Sequence, residues 1–322
     1  MATMNAAVVT SFAEPPRYQQ FEVPQPGSAT EVLVDILAVA LHPRVRSGAA
    51  GAHYTSSGTL PMIPGIDGVG RTPDGRRIYF AAGDDVIGTM ADRAVADLRR
   101  AVDLPEDADA AKLAAAMNPA MSSWVALRRR VPLEPGQSVL VLGATGNAGT
   151  MAVQIAKRLG AGRVVGAGRD LGRLHALASL GADEVVPLTG DSAATGRALG
   201  AASGEADIVL DYLWGRPAQQ AIMALLTARS DRSREMNWIQ IGAAASPTIE
   251  LPSVALRSAN LRLQGNGQGA LSATAYLSEL PSLMHEINAG AIAARPNMVP
   301  LADVEAIWTR PDPPGERTVL VP

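Results

Sequence analysis

Two different textures of hydrophobic and polar positions divide the chain. Up to about residue 104 the apolar runs are short and broken by Pro, Gly, Asp and Ser. Met4 to Val9 reads as a strand. Glu31-Val32-Leu33-Val34-Asp35-Ile36-Leu37 partly alternates, Ala38 to Leu41 is wholly apolar, and His42-Pro43 ends this second strand. Pro15, Pro16, Pro24, Pro26 and Gly27 mark loops between them. A Gly/Ser-rich loop is expected from Ser47 to Thr59, and a turn at Pro73-Asp74-Gly75. Further short strands are expected at Arg77 to Phe80 and Met90 to Asp97. Short strands with dense turn signals predict a small β-barrel.

Beyond Leu104-Pro105 the period changes. Ala108 to Met117 predicts a helix, Asn118-Pro119 a break, and Ala120 to about Arg130 a second helix. Strands then alternate with helices. The strands are Val139 to Leu142, Val164 to Ala167, Glu184 to Val186, Ile208 to Tyr212, Trp238 to Gly242 and Leu261 to Leu263. The helices are Thr150 to Leu159, Leu171 to Leu180 and Pro217 to Leu226. Alternation of this kind predicts a parallel sheet with helices on both faces. A helix from about Ser272 to Ala289 and strands at Pro296 to Pro300 and Thr318 to Val321 close the chain.

The first strand of that α/β stretch carries the chemistry. Gly143, Gly146 and Gly149 follow it, and the next helix sets Met151, Ile155 and Leu159 on one face. Strand, glycine turn, helix and second strand form the βαβ unit that binds a dinucleotide. Gly143 permits the sharp turn, Gly146 lets a pyrophosphate approach the backbone, and Gly149 lets the helix sit close to the sheet. The helix start offers unpaired N–H groups to phosphates, so Thr145, Asn147 and Ala148 join the three glycines as candidate cofactor residues. Where an NAD site carries an acidic residue, this chain has Arg169. A guanidinium there suits the 2′-phosphate of NADPH, and Arg173 returns one helical turn later. Asp170, one step on, could instead face the ribose.

Composition narrows the classes. Hydrophobic residues at 47% and charged residues at 18% indicate a folded chain, and 322 residues suggest two domains. The net charge of −3 and the absence of a long basic run argue against a nucleic-acid partner. Cysteine is absent, which removes disulfides, thiolate catalysis and Cys-ligated zinc. No apolar run reaches membrane-spanning length, and no signal-peptide pattern opens the chain, so a cytoplasmic protein is expected.

Taken together, a β-rich first part, Pro64-Gly65-Ile66-Asp67, the Gly143 to Gly149 segment with Ala152-Val153-Gln154-Ile155-Ala156-Lys157, and Gly181-Ala182-Asp183 resemble the medium-chain dehydrogenase/reductase superfamily. Met90-Ala91-Asp92 and Gly315-Glu316-Arg317-Thr318-Val319-Leu320 support the likeness. Zinc members carry a Cys near Leu41–His42 and a His where Ile66 stands. Their absence makes the chain similar to the zinc-free quinone oxidoreductase branch. The resemblance implies an α/β chain with a GroES-like β-barrel catalytic domain over residues 1–118, completed by 271–322. It implies a Rossmann doubly wound NADP-binding domain over 119–270. It further implies no metal, bound NADPH, hydride transfer to a quinone or conjugated enone, and a homodimer paired through the sixth strand. His42 and Tyr54 become candidate catalytic residues. Asn118, Tyr212, Ile241, Gly242, Gly265, Asn266 and Gly267 become candidates around the cofactor. Asp211 is expected either near the ribose or capping the next helix, and Trp124 and Trp308 in the core. The segment Gly143-Ala144-Thr145-Gly146-Asn147-Ala148-Gly149 also resembles non-enzymatic NADP-binding regulators, which gives a redox sensor as the alternative reading.

Overall fold

In a computed structural model, residues 2–83 and 86–322 are described. They divide into two compact units, one made of residues up to Asn118 together with Leu280–Pro322, the other of Pro119–Glu279. In chain order the first unit opens with strands β1 (Thr3–Val8), β2 (Arg17–Glu22) and β3 (Glu31–Ala40), helix α1 (Pro43–Ala49), and strands β4 (Asp67–Arg71), β5 (Arg77–Ala81), β6 (Arg93–Asp97) and β7 (Ala101–Asp103). Helix α2 (Ala110–Val125) follows and relaxes into a wider helical turn over Ala126–Arg130. The second unit holds β8 (Ser138–Leu142), α3 (Asn147–Arg158), β9 (Arg163–Gly168), α4 (Leu171–Ala176), β10 (Glu184–Pro187), α5 (Ser192–Ser203), β11 (Ile208–Asp211), α6 (Gly215–Ala228), β12 (Met236–Gln240), α7 (Ser253–Arg257), β13 (Leu261–Gly265) and α8 (Ala273–Leu277). The chain ends in the first unit with α9 (Leu280–Asn288), β14 (Pro296–Pro300), α10 (Val304–Ile307) and β15 (Arg317–Val321).

In the first unit β1 and β2 pair antiparallel, and a larger sheet runs β14-β15-β3-β4-β5-β7, with β6 also paired to β3. Met4, Val8, Val34, Leu41, Ile63, Phe80, Met90 and Trp308 belong to its apolar core. The Ser47–Thr59 loop begins later than expected, because α1 already occupies Pro43–Ala49. Pro43 fits a first helical turn, where its missing N–H costs nothing. The β6 strand starts at Arg93, three residues inside the expected run.

Pro119 does not break α2. It withholds one N–H, but Ala114, Ala115, Ala116, Met117, Ala120, Trp124 and Val125 are all buried, and that packing carries the helix through. The expected 272–289 helix is two helices. Glu279, at the break, belongs to the second unit, where Trp124 Nε1 and Arg128 Nε donate to it at 2.9 and 2.7 Å and Arg129 Nε at 2.5 Å.

The second unit is a six-stranded parallel sheet in the order β10-β9-β8-β11-β12-β13, a Rossmann doubly wound arrangement. Its inner strands are buried runs; Val139 to Leu142 and Ile208 to Asp211 are 1% exposed or less. The strand order changes direction between β8 and β11, so a crevice opens at their carboxyl ends.

Candidate active site

Because every strand of the second unit runs the same way, all six deliver their carboxyl ends to one edge. Gly143 leaves β8 at φ +87° beside Leu213 and Tyr212, a conformation that favours glycine. Gly149 packs the start of α3 against this turn. An added Cβ there would overlap Gly143 O and lie 2.8 Å from Ala144 Cα. Gly146 caps α3 without a side-chain bond, so the first-turn N–H groups of the helix face outward. Thr150 Oγ1 donates to Ala144 O at 3.0 Å and fixes the turn from inside. Thr145 lies over Gly168, so the glycine turn and the end of β9 are in contact.

At the end of β9, Arg169 is exposed. Asp170 is used differently: its Oδ1 accepts from Arg173 N at 3.0 Å and caps α4. Arg173 Nη1 donates to Thr145 O at 3.0 Å, which draws that arginine back over the glycine turn. Arg169, Arg173 and Thr145 therefore surround the same corner of the sheet.

At the end of β11, Asp211 is fully buried and closes the turn that leads to α6; it does not cap the helix, whose N-cap Trp214 has no side-chain bond. Asp211 Oδ1 accepts from Leu213 N and Trp214 N at 2.8 and 3.0 Å, and its Oδ2 accepts from Trp238 Nε1 at 3.1 Å. Burial raises its carboxyl above the ordinary range. Tyr212 turns toward α2, where its hydroxyl and Ser122 Oγ are 3.0 Å apart; burial pushes the phenol up to about 12. Ile241 and Gly242 both donate backbone N–H groups to Asp211 O.

After β13, Asn266 is 4% exposed and donates Nδ2 to Ser122 O at 2.7 Å. Gly265 O and Gly267 O are held by Arg130 Nε and Tyr276 Oη at 3.1 Å each. Tyr212 and Asn266 are thus joined through Ser122, a residue that nothing in the sequence singled out. A Ser-Ser pair in an Ala-rich helix has no spacing or composition that marks it.

In the first unit His42 is buried at the end of β3. Its Nε2 lies 3.4 Å from Asp67 Oδ1, and Tyr79 Oη donates to Asp67 Oδ2 at 2.5 Å. His42 Nδ1 has no hydrogen-bond partner among the described residues. Tyr54 is 71% exposed in the loop after α1, with its ring 4.2 Å from that of His53. His42 and Tyr54 therefore belong to separate local arrangements. Asn118 is half-buried on α2. Trp124 and Trp308 are both buried.

Residues 148–230 match the family described as "Zinc-binding dehydrogenase". Over 99% of its length the chain is 30% identical to the whole of "Probable NADPH-dependent quinone reductase tdiC" from Emericella nidulans. The chain belongs to the medium-chain dehydrogenase/reductase superfamily. Within the superfamily it falls in the zinc-free quinone oxidoreductase branch. Residues covering 48% of the chain are 32% identical to 49% of the quinone oxidoreductase of Pongo abelii. The quinone oxidoreductase from Thermus thermophilus, solved alone and with NADPH, superposes with a TM-score of 0.81 at 25% identity, covering 99% of this chain and all of that one. The superfamily's zinc chemistry needs three protein ligands. No group of three or more His, Asp or Glu side chains is gathered for a metal among the described residues.

Proposed function

We propose that the chain is a zinc-independent, NADPH-dependent oxidoreductase that transfers a hydride to a quinone or a conjugated enone. The observation that carries the reading is the edge where the glycine turn, the start of α3, Arg169 and Arg173 meet. The fit to the cofactor is direct. Gly146 is exposed, and a Cβ there would have no neighbour nearer than 3.5 Å, so a pyrophosphate has room over the backbone. Thr145, Gly146, Asn147, Ala148 and Gly149 would hold the pyrophosphate with Gly143 as the pivot. Arg169 and Arg173 would hold the 2′-phosphate. Asp170 Oδ1 is engaged in capping α4, which supports the reading that the arginines, and not this carboxylate, meet the ribose end of the cofactor. Asn118, Tyr212, Ile241, Gly242, Gly265, Asn266 and Gly267 would flank the nicotinamide half.

Bound NADPH supplies the hydride. The chain's own groups bind the cofactor, exclude water and meet the charge that develops on the acceptor. A quinone or enone spreads that charge by conjugation, so hydrogen-bond donors suffice where a simple aldehyde would call for a Lewis acid. His42 and Tyr54 are the donors proposed for the acceptor's oxygen. The relatives' names support a small-molecule quinone as substrate. We also infer a homodimer. The β13 strand is a sheet edge with Leu263 exposed, and exposed edges are usually paired or covered. The deciding experiment is NADPH oxidation by the purified protein against a panel of quinones, enones and enoyl thioesters. Turnover of quinones or enones is expected, and no turnover of any member would refute the reading.

A further inference from the structure

A hydride delivered to a quinone or enone must be matched by a proton, and the buried network at the end of β3 bears on its source. A carboxylate inside an apolar sheet is costly unless donors surround it. Asp67 is 5% exposed and has two, Tyr79 Oη at 2.5 Å and His42 Nε2 at 3.4 Å. Its backbone is pinned as well, since Thr89 Oγ1 donates to Asp67 O at 2.7 Å. Gly65, at φ +113°, holds the preceding turn against Thr89, where an added Cβ would lie 2.8 Å from Thr89 N.

Burial first, then the adjacent carboxylate, holds the Tyr79 phenol well above its ordinary range, so Tyr79 stays a donor. A carboxylate only accepts, so His42 Nε2 must carry a hydrogen. The neutral imidazole has one N–H, which leaves the lone pair on Nδ1. That is the buried atom without a partner. The Nε2 bond is long, as catalytic hydrogen bonds often are before substrate binds.

We infer that Asp67 and Tyr79 are positioning residues that fix the His42 tautomer and orientation, making Nδ1 the atom that delivers the proton of the reduction. The inference rests on the proposed hydride transfer. A proton taken up from solvent before turnover turns Nδ1 into a donor, while Nε2–H faces Asp67 Oδ1 at 3.4 Å. Bound NADPH would supply the hydride: its nicotinamide C–H bond would break with the electron pair as one new bond to hydrogen forms at the acceptor and a π pair moves onto the acceptor's oxygen. The His42 Nδ1–H bond then breaks, an O–H bond forms, and the N–H pair returns to the ring. One hydride and one proton complete the two-electron reduction. His42 is left neutral with its hydrogen on Nε2, facing Asp67.

The test is nitrogen-15 NMR of the full chain beside steady-state kinetics. The chain has four histidines, so variants of His53, His175 and His285 assign His42 by elimination. Wild type should show neutral His42 protonated at Nε2. In Asp67→Asn, Tyr79 retains the amide oxygen and turns Nδ2 toward His42, which moves the hydrogen to Nδ1. The kcat should fall at least about 100-fold, the scale of general acid catalysis, with little change in KM. Adding Tyr79→Phe to Asp67→Asn frees the amide to turn and should restore the Nε2 tautomer. Tyr79→Phe alone keeps the carboxylate and should keep that tautomer, which guards against misfolding of the Asn variant. A wild-type ring protonated at Nδ1, or an Asp67→Asn kcat equal to wild type, overturns the inference. A wild type with the expected tautomer but no turnover of any quinone or enone instead removes the proposed function.

Discussion

Replacing Arg169 by Ala should separate the two nicotinamide cofactors. NADPH differs from NADH only by the 2′-phosphate. Arg169 is exposed at the end of β9, whereas Arg173 already spends Nη1 on Thr145 O, so Arg169 should carry most of the discrimination. A hydrogen bond to a charged group is worth roughly 1.5–3 kcal/mol net. At about 1.4 kcal/mol per factor of ten, that is roughly a 10- to 150-fold preference. Solvent screening of an exposed arginine moves the expectation toward the low end, about tenfold, and the preference should shrink as salt is added. The assay is kcat/KM for NADPH and NADH in wild type and in Arg169→Ala at two ionic strengths. The variant should lose NADPH efficiency through KM and keep that for NADH. Arg169→Asp should go further, since a carboxylate repels the phosphate and accepts from ribose hydroxyls. Equal loss for both cofactors, or no preference in wild type, would refute the assignment.

Other consequences can be measured separately. Gly149→Ala gains about 1 kcal/mol of helix propensity but forces a methyl into the backbone of Gly143 and Ala144, an overpacking cost of about 1–3 kcal/mol or more. The melting temperature should therefore drop by a few degrees, and a rise would contradict the packing described. Tyr212 is shifted from 10.0 to about 12, so its contribution to stability is complete below about pH 10 and is lost as pH rises toward 12. Denaturant midpoints across that window should fall less steeply in Tyr212→Phe, and identical slopes would count against the burial. Sedimentation at micromolar concentration should give a dimer for wild type and a monomer for Leu263→Arg. A wild-type monomer defeats the edge pairing.

The α/β unit was largely legible because its strands are continuous apolar runs and its glycines sit at fixed offsets from them. The elements missed are those whose residues carry no period. The β2 segment, Arg-Tyr-Gln-Gln-Phe-Glu, is mostly exposed and exists through its pairing with β1. Helix α5 is built of small residues with two glycines, and α7 has only five residues. Pro119 misled for the opposite reason, since a strong local rule was overridden by tertiary packing. Around the candidate site, Asp67 appeared only as part of a recognisable turn. What makes it chemically interesting is its distance to His42 and Tyr79, which lie 25 and 12 residues away along the chain. Such pairings are long-range and leave no trace in local spacing.

The β15 strand lies between β14 and β3, hydrogen-bonded to both, and Arg317 at its start donates to Leu41 O at 3.1 Å and to Asp312 at 2.6 Å. An interior strand of the first unit's sheet therefore leaves the ribosome only after the whole second unit has emerged. Until then one side of β3 near Ala40 lacks its partner, and the carbonyl beside His42 lacks its arginine. The second unit, contiguous from Pro119 to Glu279, can close its sheet first. During synthesis the nascent protein would thus hold a finished Rossmann sheet while the sheet that leads into His42 still waits for β15.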